Sequence, residues 1–205
     1  MSVTYHHGSL HAALIAAAEA ILEREGIGAL TLRAAAREAG VSHAAPTHHF
    51  GGLSGLLSAL AASGFIRLRS NLVVEADAAG PAPKARAAGL GRGYVAFARA
   101  HPGLFLLMFR SEQLDWSNPT LSQAGAAAFG LMSQVGAETQ TSGAAPPFQN
   151  LVAAATLWSR VHGLAILLID GRLNAVADRL LPGADIEALI EAVITGDRQQ
   201  EETAL

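Results

Sequence analysis

The amino-acid sequence predicts an all-α fold, and three observations support this prediction. Alanine, the strongest helix former, dominates the 205 residues. Apolar residues recur at helical spacing along most of the chain, whereas few stretches combine β-branched residues with the period-two alternation of a strand. Glycine and proline clusters interrupt the apolar pattern and mark where helices end. We therefore expect a chain built from helices.

The individual helices follow from the apolar spacing and from the residues that break it. Leu10, Leu14 and Ile21 share one face of a first helix, which Gly26 ends. We predict helices over residues 9–25, 31–39, 42–50, 53–79 and 84–100, from 119 onward, over 148–172 and after residue 182. Residues 104–109 form a compact apolar segment after a new start at His101-Pro102. Residues 136–147 are expected to form a loop, and residues 1–8 and the tail from residue 196 are expected to be loosely held.

Composition narrows the class of protein. The chain has no cysteine, which excludes a disulfide scaffold and thiolate metal sites and fits a reducing cytosol. We find no signal peptide, and the most apolar run, residues 164–169, is far shorter than the ~20 residues that cross a bilayer. We expect a soluble, cytoplasmic protein without a membrane partner. The net charge of −3 argues against a protein that coats nucleic acid but allows a small local DNA-binding patch.

Residues 31–50 (TLRAAAREAGVSHAAPTHHF) are the most informative segment. A short helix reaches Gly40, which can adopt the left-handed conformation that stops it. Ser42 is then expected to cap a second short helix. Two helices joined by a short glycine-containing turn form a helix-turn-helix, whose second helix enters the DNA major groove. This segment predicts a double-stranded DNA operator as a partner.

The DNA-facing surface is predicted at the start of each helix of this unit. Thr31 and Arg33 are candidates for phosphate contacts, whereas small side chains such as Ala44 let the second helix approach bases closely. Ser42 has the alternative role of a cap only. The predicted DNA-binding residues are Thr31, Arg33, Ser42, His43, Ala44, Ala45, Thr47 and His48.

Other chemistries are not expected. Six of the eight histidines lie in the first fifty residues, but a metal site needs three or four convergent ligands, and His48 and His49 point in different directions on a helix. The GLGRG run (residues 89–93) lacks the strand that a nucleotide-binding loop follows, so we interpret it as a helix packed tightly. The sequence offers no nucleophile elbow, no His-Glu metal helix and no supported acid pair. We therefore predict no metal, no cofactor and no enzymatic activity.

The whole chain resembles TetR-type transcriptional regulators. The resemblance rests on residues 5–26 (YHHGSLHAALIAAAEAILEREG), on the segment that includes the helix-turn-helix, and on the long helix after it. The segments YVAFARAHPGLFLLMF (94–109) and WSRVHGLAILL (158–168) resemble the C-terminal domain of the subgroup named for its Trp-His-Gly signature, supplied here by Trp158, His162 and Gly163. The resemblance implies a DNA-binding domain over 1–52 and an effector-binding and dimerisation domain over 53–205.

The same resemblance implies an effector pocket among the middle helices and a homodimer formed by the last two helices. Trp158 and His162 lie four residues apart on one helix face, where His162 has the alternative role of an internally hydrogen-bonded residue. The predicted pocket residues, chosen because pockets are mainly apolar and aromatic, are Phe97, Phe105, Met108, Phe109, Trp116, Phe129, Trp158 and His162.

Dimerisation is predicted through two helical faces. A stripe on the last helix and a small-residue face on the long helix before it suit a four-helix bundle between two protomers. Burial inside a single protomer is the alternative. The predicted interface residues are Ala155, Ser159, Ile186, Leu189, Ile190, Val193 and Ile194.

These features together predict a homodimeric repressor that a small apolar effector releases from a palindromic operator. Two positions depart from the family pattern: Thr47 stands where the family usually has tyrosine, and Leu53 stands where a lysine often begins the next helix. They leave open an alternative, in which the chain is a ligand-binding or protein-binding dimer with weak DNA binding.

Overall fold

The computed structural model describes residues 7–110, 112–138 and 146–197. Within these ranges the chain forms ten α-helices, one short 3-10 turn (Ile27–Ala29) and no β-strand, which confirms the all-α prediction. The helices are α1 (His7–Glu25), α2 (Leu32–Glu38), α3 (Ala45–Phe50), α4 (Leu53–Ala78), α5 (Pro83–Ala100), α6 (Pro102–Arg110), α7 (Pro119–Glu138), α8 (Pro147–Ile169), α9 (Arg172–Leu180) and α10 (Ile186–Thr195).

Most predicted helix bounds agree with the structure to within two residues, but α9 was not predicted, and α6 was predicted only as an apolar segment. The sequence analysis extended the preceding helix to residue 172, whereas α8 ends at Ile169. Gly171 adopts a left-handed conformation (φ +69°) that turns the chain, and α9 begins directly after it. The predicted N-terminal arm, the loop after α7 and the C-terminal tail lie largely outside the described residues.

Backbone proximity divides the chain into two compact units. The first contains Met1–Ile66 and His101–Ala126, and the second contains Arg67–Ala100 and Ala127–Leu205. The predicted functional domains, 1–52 and 53–205, stay a prediction.

In the first unit, apolar residues of α1, α2, the first part of α4 and α6 are buried, among them Leu14, Ala35, Leu57 and Phe105. A carboxylate of α1 fixes the start of α6: the two oxygens of Glu23 accept the backbone N–H groups of Gly103 and Leu104, each at 2.9 Å. A carboxylate at a helix N-terminus satisfies donors that have no partner within the helix and favours the helix dipole.

A further ion pair joins α1 to α2. Arg24 of α1 lies 3.2 Å from the carboxylate of Glu38 and 2.8 Å from that of its neighbour Glu25. Hydrogen bonds to Glu38 and to Glu25 raise the pKa of the Arg24 guanidinium. All three side chains are at least one-third exposed, so water screens these ion pairs and they contribute little to the free energy of unfolding. They mainly orient α1 and α2 relative to each other.

The core of the second unit lies between α5, α8 and α10. Val95, Leu164, Ile190 and Ile194 form a buried cluster. The GLGRG run lies on α5 and is a packing surface: a Cβ at Gly89 would collide with the carbonyl oxygen of Glu75 on α4. Small residues thus allow α5 to approach its neighbours closely, as the sequence analysis proposed for this run.

Candidate DNA-binding and effector-binding sites

The turn between α2 and α3 is built around Gly40. Its φ of +66° lies in the left-handed region that favours glycine. The N–H of Gly40 bonds to the carbonyl of Arg37 at 3.2 Å, and the N–H of Val41 bonds to that of Ala36 at 3.0 Å. This pair of bonds is a Schellman motif, which satisfies the last carbonyls of α2. The prediction that Gly40 stops the first helix of the unit is confirmed.

The predicted capping of α3 by Ser42 is wrong. The helix begins at Ala45, three residues later than expected, and no side chain caps it. The carbonyl of Ser42 instead accepts the N–H of Ala45 at 3.0 Å in a turn that precedes the helix. Pro46 is buried in the first turn of α3, where a residue without an N–H and with a fixed φ fits well.

The cap of α2 lies at Thr31, whose side-chain oxygen accepts the N–H of Ala34 at 3.1 Å. Thr31 itself is exposed at the start of α2. Burial of the predicted DNA-binding residues follows one pattern: Ala45 is half-buried, and the other seven are exposed, namely Thr31, Arg33, Ser42, His43, Ala44, Thr47 and His48.

The two histidines of α3 differ in environment. His48 is exposed, whereas His49 is half-buried with its ring 6.5 Å from that of His11 on α1. The ring of Phe50 lies 4.7 Å from the same His11 ring. His49 and Phe50 therefore hold α3 against α1, and His48 belongs to the exposed side. Arg33 and Arg37 are the arginines of α2, and both are exposed.

The Trp-His-Gly signature surrounds a buried tyrosine in the second unit. Tyr94 of α5 is 1% exposed. Its hydroxyl accepts the indole N–H of Trp158 at 3.2 Å and lies 2.9 Å from Nδ1 of His162. Because the hydroxyl already accepts from Trp158, its single proton is available for Nδ1, which is then the acceptor. Phe129 of α7 packs edge-on against Trp158, with ring centroids 5.7 Å apart.

Trp158, His162 and Phe129 were predicted as site residues, but Tyr94, which joins Trp158 and His162, was not. Tyr94 lies 64 residues before Trp158, and no spacing rule connects residues so far apart on different helices. Burial raises the pKa of the Tyr94 phenol far above its ordinary value of about 10, and the hydrogen bond from Trp158 opposes this rise. The phenol therefore keeps its proton at neutral pH.

The remaining predicted pocket residues lie in both units. In the first unit Phe105 and Met108 are almost completely buried, Phe109 packs 4.9 Å from Phe105, and Trp116 is 49% exposed with its ring 5.9 Å from Phe65. In the second unit Phe97 is buried, with the Arg67 guanidinium 6.0 Å from its ring centroid. The effector pocket stays a prediction.

The predicted dimer residues fall into two groups. Ile190 and Ile194 are 5% and 2% exposed in the core of their own protomer, and Ile186 and Val193 pack against that core. Ala155 and Leu189 are half-buried, and Ser159 is exposed. The sequence analysis did not name the most exposed apolar residues of this region, which are Phe148, Leu151, Val152 and Leu167 on α8 and Val176, Leu180 and Leu181 in and after α9.

Among the described residues, α8 alone is long and apolar enough to cross a membrane, and only 28% of its most apolar window is buried. Its sequence also contains Gln149, Asn150, Arg160 and His162. Groups of this kind are uncommon within membrane-spanning helices.

One group of side chains has the spacing of a metal site. Glu19, Glu23 and His101 each place a potential ligand atom within 4.8 Å of the others. Both carboxylate oxygens of Glu23 accept backbone N–H groups of α6, however. We assign this group a structural role at the contact between α1 and α6.

We expect Tyr94→Phe to lower the free energy of unfolding by about 1–3 kcal/mol, because it removes the buried hydroxyl that the half-buried Trp158 and His162 use as their hydrogen-bond partner. Urea unfolding at fixed protein concentration measures the change. Ser63→Ala is the matched control, since the Ser63 hydroxyl bonds to Leu60 within its own helix at 2.8 Å and its loss is expected to be nearly neutral.

The same variant tests the pKa of Tyr94. A phenol whose folded pKa is raised contributes stability that is complete below about pH 10 and falls as the pH rises towards the folded pKa. The wild type is therefore expected to lose up to about 1.4 kcal/mol per pH unit above pH 10 relative to Tyr94→Phe. Parallel pH profiles for the two proteins would contradict the assignment.

Comparison with known proteins agrees with this architecture. Residues 14–60 match the family model described as bacterial regulatory proteins, tetR family, and residues 87–195 match that described as tetracyclin repressor-like, C-terminal domain. No curated protein matches the chain.

Three solved structures illustrate the likeness. A protein of unknown function from Rhodococcus sp. RHA1 is 37% identical, with a TM-score of 0.75 over 95% of this chain and 94% of that one. A putative tetR family transcription regulator from Shewanella sp. PV-4 is 19% identical, with a TM-score of 0.64 over 91% and 94% of the two chains. The ketosteroid transcriptional regulator KstR2 of Mycobacterium tuberculosis is 19% identical, with a TM-score of 0.56 over 95% and 97%.

A helix-turn-helix unit followed by a larger helical region defines a transcription regulator of the DNA-binding class. The chain belongs to the TetR family, with a C-terminal domain of the Trp-His-Gly type.

Proposed function

We propose that the protein is a cytoplasmic, homodimeric repressor that binds a palindromic operator and releases it when a small apolar effector binds. The observation that carries the proposal is the exposed surface at the starts of α2 and α3, which the Schellman turn at Gly40 holds in place. Membership of the family indicates DNA binding as the class of activity, and the exposed surface indicates which residues are proposed to contact the DNA.

The surface has the composition that close approach to a major groove needs. Ala44 precedes α3 and adds only a methyl group, which can contact a thymine methyl. Thr47 and His48 carry hydrogen-bonding groups one helical turn further along, and both are exposed. Arg33 and the hydroxyl of Thr31 are available for phosphates at the start of α2.

The homodimer is supported by an apolar face of α8 that its own protomer leaves open. Phe148, Val152, Ala155, Ser159 and Gly163 share this face, which points away from the buried Leu157, Val161 and Leu164. A Cβ at Gly163 would meet no other atom within 4 Å, so the backbone is accessible there. Such a face, with large apolar residues at its N-terminal end and small residues along the rest, suits a second helix packed across it.

The burial of Ile190 and Ile194 changes which part of α10 can join this interface. Their side chains are used inside the protomer. Leu189, on another side of α10, is half-exposed and can still contact a partner. In the proposed dimer α8 supplies most of the contact and α10 supplies its outer face.

Release by an effector requires only that the ligand bind one dimer state better than the other. Coupling of this kind amounts typically to about 1–3 kcal/mol. The aromatic residues around Trp158 are the proposed contacts for an apolar effector, because a fixed hydrogen-bond network gives a rigid wall against which a ligand can pack.

Selection of bound duplexes from a random DNA pool tests the proposal. We expect a two-fold symmetric site whose half-site centres lie about 34–36 Å apart or a multiple of it. Each phosphate that is neutralised contributes about −0.9 to the slope of log affinity against log salt, and Arg33 and Arg37 of two protomers therefore predict a slope of about −2 to −4.

A second candidate function follows from the sparse positive charge near α3. Leu53 begins α4 where the family often has lysine, and Thr47 replaces the usual tyrosine. A dimer that binds a ligand or a protein and binds DNA weakly would also fit these residues. A selected pool without a symmetric site, or binding that salt does not weaken, would favour this alternative.

A further inference from the structure

A cleft of about 630 Å³ opens in the second unit beside the start of α5, the middle of α8 and the end of α10. It is lined by Lys84, Ala85, Ala87, Ala88, Arg160, Ile194, Thr195, Gly196 and Asp197. None of the eight predicted effector-pocket residues lines it. Its size lies in the range of about 300–1,000 Å³ that small-molecule sites occupy.

The charges at this cleft favour a singly charged anion. Among the described lining residues there are two cations, Lys84 (the only lysine of the chain) and Arg160, and one carboxylate, that of Asp197. The positive N-terminal end of α5 and the negative C-terminal end of α10 both border the cleft and oppose each other. Because the two helix ends oppose each other, the charged side chains decide whether the cleft favours an anion or a cation.

Arg160 is the strongest indication of a ligand. Its Nε is buried and has no hydrogen-bond partner among the described residues. A buried guanidinium N–H without an acceptor is unfavourable, because it has lost water and gained no replacement. A carboxylate matches the planar donors of a guanidinium and can accept two of them at once.

Apart from Thr195, whose hydroxyl donates to backbone carbonyls of its own helix, the other lining side chains among the described residues are apolar. Ala85, Ala87 and Ala88 of α5 and Ile194 of α10 present methyl groups beside the two cations. A fully polar anion such as phosphate would leave these groups uncovered and would bring a second negative charge close to Asp197. An acid with a hydrocarbon body covers the methyl groups and keeps its carboxylate at Arg160.

We infer that this cleft binds a small organic acid, with its carboxylate held by Arg160 and Lys84 and its apolar body against α5 and α10. The inference does not rest on the proposed repressor activity, because it concerns a different set of residues and is tested without DNA.

Isothermal titration of the full-length protein with octanoate tests the inference, with octan-1-ol and inorganic phosphate as comparison probes. We expect saturable binding of octanoate at millimolar concentration or below, and weaker binding of both other probes. Arg160→Met is expected to weaken octanoate binding about tenfold or more, because it removes a charge-assisted hydrogen bond. Lys84→Met is expected to weaken it about two- to fivefold.

The matched control is Arg179→Met, which removes an exposed arginine of α9 that does not line the cleft and should leave the affinity unchanged. Thermal melts establish that each variant is folded. If Arg160→Met does not fold, Lys84→Met still decides the question, since Lys84 is exposed. Absence of octanoate binding, equal affinity for octan-1-ol, or wild-type affinity in the folded variants would overturn the inference.

Discussion

Ala44→Glu is expected to weaken operator binding about 100-fold or more and to leave the protein folded. Ala44 is exposed and immediately precedes α3, so in the proposed complex a carboxylate there would face the phosphates and base edges of the operator. Like charges brought together at an interface cost several kcal/mol, and 100-fold corresponds to about 2.7 kcal/mol. The dimer carries the substitution twice, which adds to the loss.

Fluorescence anisotropy with the selected operator measures this effect. Ala126→Glu is the matched control, because Ala126 is an exposed residue of α7 outside the helix-turn-helix and the substitution adds the same net charge. If both variants lost affinity equally, the effect would be one of net charge. If Ala44→Glu bound as the wild type does, the start of α3 would not be the DNA-contacting surface.

The second large effect is expected at the proposed dimer interface. Phe148 and Val152, on the proposed face of α8, are 73% and 48% exposed in the protomer. Replacing both with glutamate would bury two carboxylates without partners when the dimer forms, at a cost of several kcal/mol each. We expect the double variant to be a folded monomer at micromolar concentration and to lose high-affinity operator binding.

Sedimentation equilibrium measures the oligomeric state. Val74→Glu provides the control: Val74 is 62% exposed on α4, so it tests the removal of an exposed apolar group away from α8. A double variant that remained dimeric would place the interface on another surface, for which Val176, Leu180 and Leu181 are the nearest exposed apolar candidates.

Local patterns predicted the helices and the turn at Gly40, because periodicity and backbone conformation depend on neighbouring residues. The same local reasoning failed where two local signals compete. Ser42 is a good cap by type, but Pro46 sets the start of α3 and leaves Ser42 outside the helix. Asp170 and Gly171 end α8, although the apolar and charged residues around them continue the helical pattern.

Contacts between distant helices lay beyond the sequence pattern. The spacing of Trp158 and His162 placed them on one face, yet the partner of that face, Tyr94, belongs to a different helix. The apolar stripe on α10 correctly predicted that this side of the helix is buried. It did not predict which surface covers it. In the structure Val95 and Leu164 of the same chain cover Ile190 and Ile194. A periodicity gives the apolar side of a helix and does not identify its neighbour.

The carboxylate of Glu23 has a mechanical consequence. Its two oxygens each accept a different amide of α6, so a shift of that helix along α1 or about its own axis is expected to lengthen at least one of the two bonds. Hydrogen bonds to a charged group are worth about 1.5–3 kcal/mol each. Movement of α6 is therefore coupled to α1 through this one side chain.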